Sequence, residues 1–216
     1  FNYFGRANGL SADPEESVAA LLQGRPEAVQ VGLVNDRVFL VNASLGFYAR
    51  LLEERESYKA RYGRSRGVAL VAALFTLARG FRIWDLEARW HGRTETLRTP
   101  TLYVGNNPLQ FEQVGVEEGE AVEQGELAAI ALKPLGRAAM LGLLAQAALG
   151  RLDQAREVQS LSFRELEVAA ARMARGDRLR VATDGELRWM RMPLRFRVSP
   201  RPLWLVKPAS LEREHG

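Results

Sequence analysis

The stretch FRIWDLEARWHGRTETLRTPTLYVGN, residues 81–106, decides the fold class. Ile83, Leu86, Ala88 and Trp90 lead in extended spacing to His91-Gly92-Arg93, and Leu97, Thr99, Thr101 and Tyr103 continue beyond it. Branched and aromatic side chains suit a pleated, half-buried surface, and a Gly-containing break between two such runs makes a hairpin. Two extended runs joined by a turn are expected here, the second continuing from Glu95 to Asn106 through the β-prone Thr101-Leu102-Tyr103-Val104.

Toward the N-terminus the pattern changes to helical. Leu45, Tyr48, Leu51, Leu52 and Tyr58, set against Glu53, Glu54 and Glu56, predict an amphipathic helix near 44–62, and an apolar run predicts another near 67–80. Before them, 28–34 and 37–43 are β-rich and joined by Asn35-Asp36, residues that tolerate the left-handed turn conformation. Ser11-Ala12-Asp13-Pro14-Glu15 starts a short helix that Gly24 stops. Toward the C-terminus, short extended runs are expected at 126–132, 155–162, 165–170, 179–183, 195–198 and 203–206, interrupted by one helix near 135–149. Many short strands with a few inserted helices predict an α+β protein with a β-rich, sandwich-like or barrel-like body. The division expected is a connecting segment and helix over 1–24 and a β-rich lobe over 25–216.

The chain has 216 residues, 47% hydrophobic and 26% charged, the balance of a folded globular protein. It contains no cysteine, which excludes disulfide scaffolds, thiolate metal sites and thiol nucleophiles. The net charge is +4, and of 30 basic residues only Lys59, Lys133 and Lys207 are lysines. No basic run with interleaved aromatics and no zinc-finger or helix-turn-helix pattern marks a nucleic-acid path, so nucleic acid is not expected as a partner. The apolar runs at 67–78 and 138–149 are each about 12 residues long, whereas a membrane span needs about 20. They are expected to be buried or to press against lipid.

His91 sits in a turn and His215 in the terminal Glu-Arg-Glu-His-Gly, and neither belongs to a catalytic pattern. Nucleophile elbow, P-loop, dinucleotide-binding and metalloprotease motifs do not occur. The best local candidate is Thr183-Asp184-Gly185-Glu186, where two carboxylates stand two residues apart at a strand end. That placement suits a general base with a supporting acid. Asp-Gly is equally a common hairpin turn, and both alternatives stay open.

Several motifs, taken in order, resemble one family. Phe1-Asn2-Tyr3-Phe4-Gly5-Arg6, Phe39-Leu40-Val41-Asn42-Ala43-Ser44-Leu45-Gly46-Phe47 and Tyr103-Val104-Gly105-Asn106-Asn107 are followed by Thr183-Asp184-Gly185-Glu186, Met192-Pro193-Leu194 and Pro200-Arg201-Pro202-Leu203-Trp204-Leu205-Val206-Lys207-Pro208. Over essentially the whole chain this order resembles the C-terminal lobe of bacterial diacylglycerol kinase and sphingosine kinase-like lipid kinases. The resemblance implies the NAD kinase/diacylglycerol kinase-like fold, and a nucleotide-binding lobe with a Gly-Gly-Asp-Gly-Thr loop preceding Phe1. It implies transfer of the γ-phosphate of ATP, with Mg²⁺, to a hydroxyl of diacylglycerol or a related lipid. Asp184 would be the general base, Glu186 would hold or tune it, and Asn2 and Arg6 would lie on the nucleotide side. Asp184→Asn would then abolish turnover while leaving folding intact.

Gln124-Gly125-Glu126-Leu127-Ala128 replaces the family's cation-binding Asp-Gly-x-Leu-Asp without either Asp, so no structural metal is expected there. The partners implied are a lipid at a membrane surface, the nucleotide-binding lobe and a second copy of the chain. The place implied is the cytoplasm, peripheral on the inner face of the membrane. ATP and Mg²⁺ belong to the complete enzyme, and neither is expected to bind this stretch tightly. The alternatives are a non-catalytic lipid- or protein-binding β module, and a kinase of the same superfamily with a soluble substrate such as a nicotinamide dinucleotide.

Overall fold

A computed structural model of the chain describes residues 3–47, 49, 82–152 and 155–208. In chain order its elements begin with α1 (Tyr3–Ala7), α2 (Pro14–Leu22), β1 (Arg25–Val29), β2 (Gly32–Val34), β3 (Arg37–Phe39) and β4 (Asn42–Gly46). Then come β5 (Trp84–Trp90), β6 (Arg93–Thr99), β7 (Thr101–Gly105), α3 (Pro108–Val114), α4 (Gly119–Glu123), β8 (Leu127–Leu132) and α5 (Arg137–Ala148). Last are β9 (Val158–Phe163), β10 (Glu165–Ala170), β11 (Arg178–Thr183), β12 (Glu186–Arg191), β13 (Leu194–Val198) and β14 (Leu203–Lys207).

The hairpin expected at 91–92 forms, with Trp90 opposite Arg93 and Trp84 opposite Thr99. His91 and Gly92 both have positive φ, 48° and 72°, the geometry whose twist matches that of the flanking strands. Its continuation does not stay in the same sheet. After Pro100 the chain turns a corner, and β7 pairs with β4 and β8 instead. Two six-stranded antiparallel sheets result, β3-β2-β13-β10-β5-β6 and β12-β11-β4-β7-β8-β9, with β1 and β14 forming a separate ribbon. The run expected as one strand over 28–34 is thus two strands in different sheets.

Alternation of side chains explains the layers. In β8, Leu127, Ala129 and Ala131 enter the core between the two sheets, where Phe39, Leu45, Leu102, Phe163, Val181 and Phe196 are also buried. Ala128, Ile130 and Leu132 point the other way, into a second cluster with Phe111, Val122, Met140 and Leu143 from α3, α4 and α5. A strand covered on both faces is apolar at every position, and Leu-Ala-Ala-Ile-Ala-Leu is. The architecture is a sandwich with helices on one outer face, in agreement with the α+β expectation.

The N-cap of α2 is Asp13, whose carboxylate accepts from the amides of Glu15 and Glu16, satisfying two of the helix's orphan donors. The helix expected near 135–149 runs from Arg137 to Ala148. The one expected near 44–62 begins later than its periodicity indicates. Residues up to Gly46 remain in β4, because Asn42, Ser44 and Leu45 pair with β7 and β11. At Gly46, φ is +84° and an added Cβ would lie 2.2 Å from the Pro100 carbonyl oxygen. Only glycine allows that close approach of two strands at the corner. Beyond Gly46 both Phe47 and Ala49 are helical and buried, and the other residues of that helix and all of 67–80 lie outside the described residues.

Four further elements were not anticipated, the first being the short helix α1. Strand β12 follows the Asp-Gly turn, and α3 and α4 follow β7. The signal for α3 is present in Asn107-Pro108: Asn107 Oδ1 accepts from the Leu109 amide, Pro108 fills the first turn, and Gly115 closes the helix with φ 73°.

Candidate functional site

At one end of the helix-covered sheet, β11 and β7 finish while β4 starts, which brings Thr183, Gly105 and Asn42 side by side. Asp184 sits just past β11, with φ 49°, and Gly185 follows with φ 90°. Both residues occupy the left-handed region that a two-residue hairpin requires, so Asp-Gly is the turn joining β11 to β12. The turn is also an anchor. Asp184 Oδ2 accepts from the Leu40 amide at 2.7 Å, and Oδ1 accepts from the Val41 amide at 2.8 Å and the Asn42 amide at 3.0 Å. Its own amide donates to the Asn42 carbonyl at 2.9 Å.

Asn106 holds the same corner from the opposite side. Its backbone amide donates to the Val41 carbonyl at 2.8 Å, and its Nδ2 donates to the carbonyls of Leu40 at 3.0 Å and Gln30 at 3.1 Å. Gln30 Nε2 returns a bond to Asn106 Oδ1 and another to the Glu126 carbonyl. The connection over residues 40–42 is therefore clamped through its amides by Asp184 and through its carbonyls by Asn106. The two motifs, Asp-Gly-Glu and Asn-Asn, act on one loop.

From this clamp a polar chain leads to an apolar pocket. Asn42 Nδ2 donates to Gln110 Oε1 at 3.1 Å, and the Tyr103 hydroxyl donates to the same oxygen. Tyr103 and Gln110 belong to the rim of a pocket of about 220 Å³ between β7, β8, α3 and α5, whose wall includes Ile130, Leu132, Met140 and Leu143. Among the described residues, two buried atoms on β4, Asn42 Oδ1 and Ser44 Oγ, have no hydrogen-bond partner. Because they stand two residues apart on one strand, both face the helix layer. Buried polar atoms are nearly always paired, so these two could each take up one further polar partner.

Glu186, 70% exposed at its side chain, directs its carboxylate to Arg188 at 2.6 Å. Arg6 is exposed in the last turn of α1, whose Tyr3 carbonyl accepts from Asn107 Nδ2 at 3.0 Å. That bond ties the start of α1 to the residue that caps α3. Asn2 lies outside the described residues. Among the described residues, no group of three His, Cys, Asp or Glu side chains could hold a metal ion. The donor set of this stretch does not fit Mg²⁺ at Asp184, whose oxygens face backbone amides, nor at Glu186, which faces Arg188.

No family model matches the sequence. Among solved structures, a candidate diacylglycerol kinase from Bacillus anthracis str. Sterne superposes with a TM-score of 0.66 at 15% identity, covering 97% of this chain and 66% of that one. The chain has the diacylglycerol kinase-like fold. A diacylglycerol kinase from the same organism gives a TM-score of 0.61 at 11% identity over 97% of this chain and 64% of its own. A further candidate gives 0.62 at 14% over 92% and 63%. The chain thus spans just under two thirds of the length of these three proteins.

Proposed function

We propose that this chain is the acceptor-binding part of an ATP-dependent lipid kinase. One observation carries the proposal: an apolar pocket joined by Tyr103, Gln110 and Asn42 to the carboxylate of Asp184. An acyl chain in the pocket would set a glycerol-like head beside Asn42 Oδ1 and Ser44 Oγ, with its free hydroxyl toward Asp184. A carboxylate has about four acceptor sites, and the three backbone bonds leave room at Oδ2, which has a single amide partner. Asp184 would take the hydroxyl proton there as the oxygen attacks phosphorus. The nucleotide with its Mg²⁺ would supply the phosphoryl group from a separate lobe, on the side that the family resemblance assigns to Asn2 and Arg6. Glu186, paired with Arg188, would tune the local field rather than touch the base.

The full-length protein is expected to transfer phosphate from ATP to diacylglycerol in vesicles, and not to soluble acceptors. Leu144→Trp, which fills the pocket from α5, should lower kcat/KM for the lipid by more than about tenfold, since each excluded methylene costs about 0.8 kcal/mol. Transfer to a nicotinamide dinucleotide alone would assign the soluble-substrate alternative, and transfer to nothing would favour a non-catalytic module. The isolated 216 residues are expected to bind ATP more weakly than micromolar by calorimetric titration. A micromolar Kd would overturn the separate nucleotide lobe.

A further inference from the structure

The opposite end of the sandwich carries a second pocket. There β5 begins at Trp84, β6 ends at Thr99 and β10 ends at Ala170, beside the ends of β7 and β8 at Thr101 and Leu132. Arg82, Arg98 and Arg172 frame a hollow of about 160 Å³ that Trp84 and Asp85 also line. The Arg82 guanidinium lies 4.1 Å from the Trp84 ring centroid. Stacking fixes its plane and leaves its N–H edge for an anion. The acid in the lining, Asp85, is 3.6 Å from Arg98 Nε, beyond good hydrogen-bond distance, so among the described lining residues three guanidinium groups meet one carboxylate. Arginines elsewhere on the same sheet are matched differently: Arg89 and Arg195 both reach Glu167, at 3.6 and 2.7 Å. Arg175, Arg178 and Arg191 are exposed at the same end as the hollow. The wall of the apolar pocket runs toward this end too, from Tyr103 and Ile130 to Thr101 and Leu132.

We infer that the hollow framed by Arg82, Arg98 and Arg172 binds the phosphate of an anionic phospholipid headgroup, seating this end of the sandwich on a negatively charged bilayer. The apolar pocket would then open toward the membrane that holds its lipid. The choice of a lipid phosphate over other anions rests on the lipid-acceptor proposal. The experiment involves no phosphate transfer, so the two can fail separately. The chain should cosediment with vesicles of phosphatidylcholine mixed with phosphatidylglycerol, and not with phosphatidylcholine alone. Arg82→Gln/Arg98→Gln/Arg172→Gln should weaken that partition about 100-fold, on the scale expected for three basic groups at an anionic surface. Arg89→Gln/Arg195→Gln/Arg197→Gln, with the same charge change, should weaken it far less. Melting temperatures of both variants near that of the parent establish that they fold. Equal loss in both triple variants would assign the binding to net charge and overturn the site. Equal binding to neutral vesicles would overturn it as well. Binding of inorganic phosphate in calorimetric titration, lost in the Arg82/Arg98/Arg172 variant, without cosedimentation on anionic vesicles would assign the hollow to free phosphate and overturn the docking.

Discussion

Asp184→Asn is expected to lower folding stability and phosphate transfer together. The substitution keeps one acceptor oxygen but turns the other position into an amide that faces a backbone N–H, where Leu40, Val41 and Asn42 now donate. Hydrogen bonds to a charged group contribute about 1.5–3 kcal/mol each. With one oxygen retained, a net loss of about 2–4 kcal/mol is expected. Thermal melting of the chain should show it, with faster amide exchange at Leu40, Val41 and Asn42. This differs from what the family resemblance implies alone, that folding would be untouched. In the full-length protein, turnover measured well below the variant's melting point should fall by at least about 100-fold, the scale of a general base. A melted corner with unchanged turnover would leave Asp184 an anchor and place the base elsewhere.

Phe111→Ala should be the most destabilising change in the helix layer, at about 3–5 kcal/mol. Phe111 is fully buried and packs edge-on against Tyr103, with ring centroids 5.9 Å apart and planes at 76°. It occupies space that only a glycine leaves free, since an added Cβ on Gly105 would lie 2.4 Å from its ring. The cavity would loosen α3 and with it Gln110, the link between Asn42 and the pocket rim. A melting temperature lower by roughly 10 °C is expected for a chain of this size, together with a raised KM for lipid in the full-length protein. Phe111→Leu, which keeps most of the volume, should recover much of both. A melt unchanged by Phe111→Ala would show that α3 is not anchored through this ring.

Much of the fold was legible because it is written in short-range chemistry. Alternation over 84–90 and 93–99, the left-handed preference of His91-Gly92 and the Asp13-Pro14 cap are local rules that the structure obeys. Strand β12 was not legible: Glu-Leu-Arg-Trp-Met-Arg forms a sheet edge, with Met190 turned into the core and Trp189 exposed, and so lacks a continuous apolar signal. The start of the helix after Gly46 was misplaced because Leu45 fits both a helical period and a buried strand, and only pairing with β7 and β11 chooses between them.

The same division holds at the site. Sequence by itself determined that Asp184 stands in a tight turn at a strand end, that Asn106 and Asn107 close another strand, and that the motif order resembles the lipid kinases. Tertiary structure alone decided that Asp184 grips the amides of residues 40–42, from 142 to 144 positions away, while Asn106 grips the carbonyls beside them. It also decided that an apolar pocket lies one polar link from that clamp. Turn chemistry and side-chain period act over a few residues, whereas the meeting of strand ends is settled by how two sheets bury their faces against each other and against the helices.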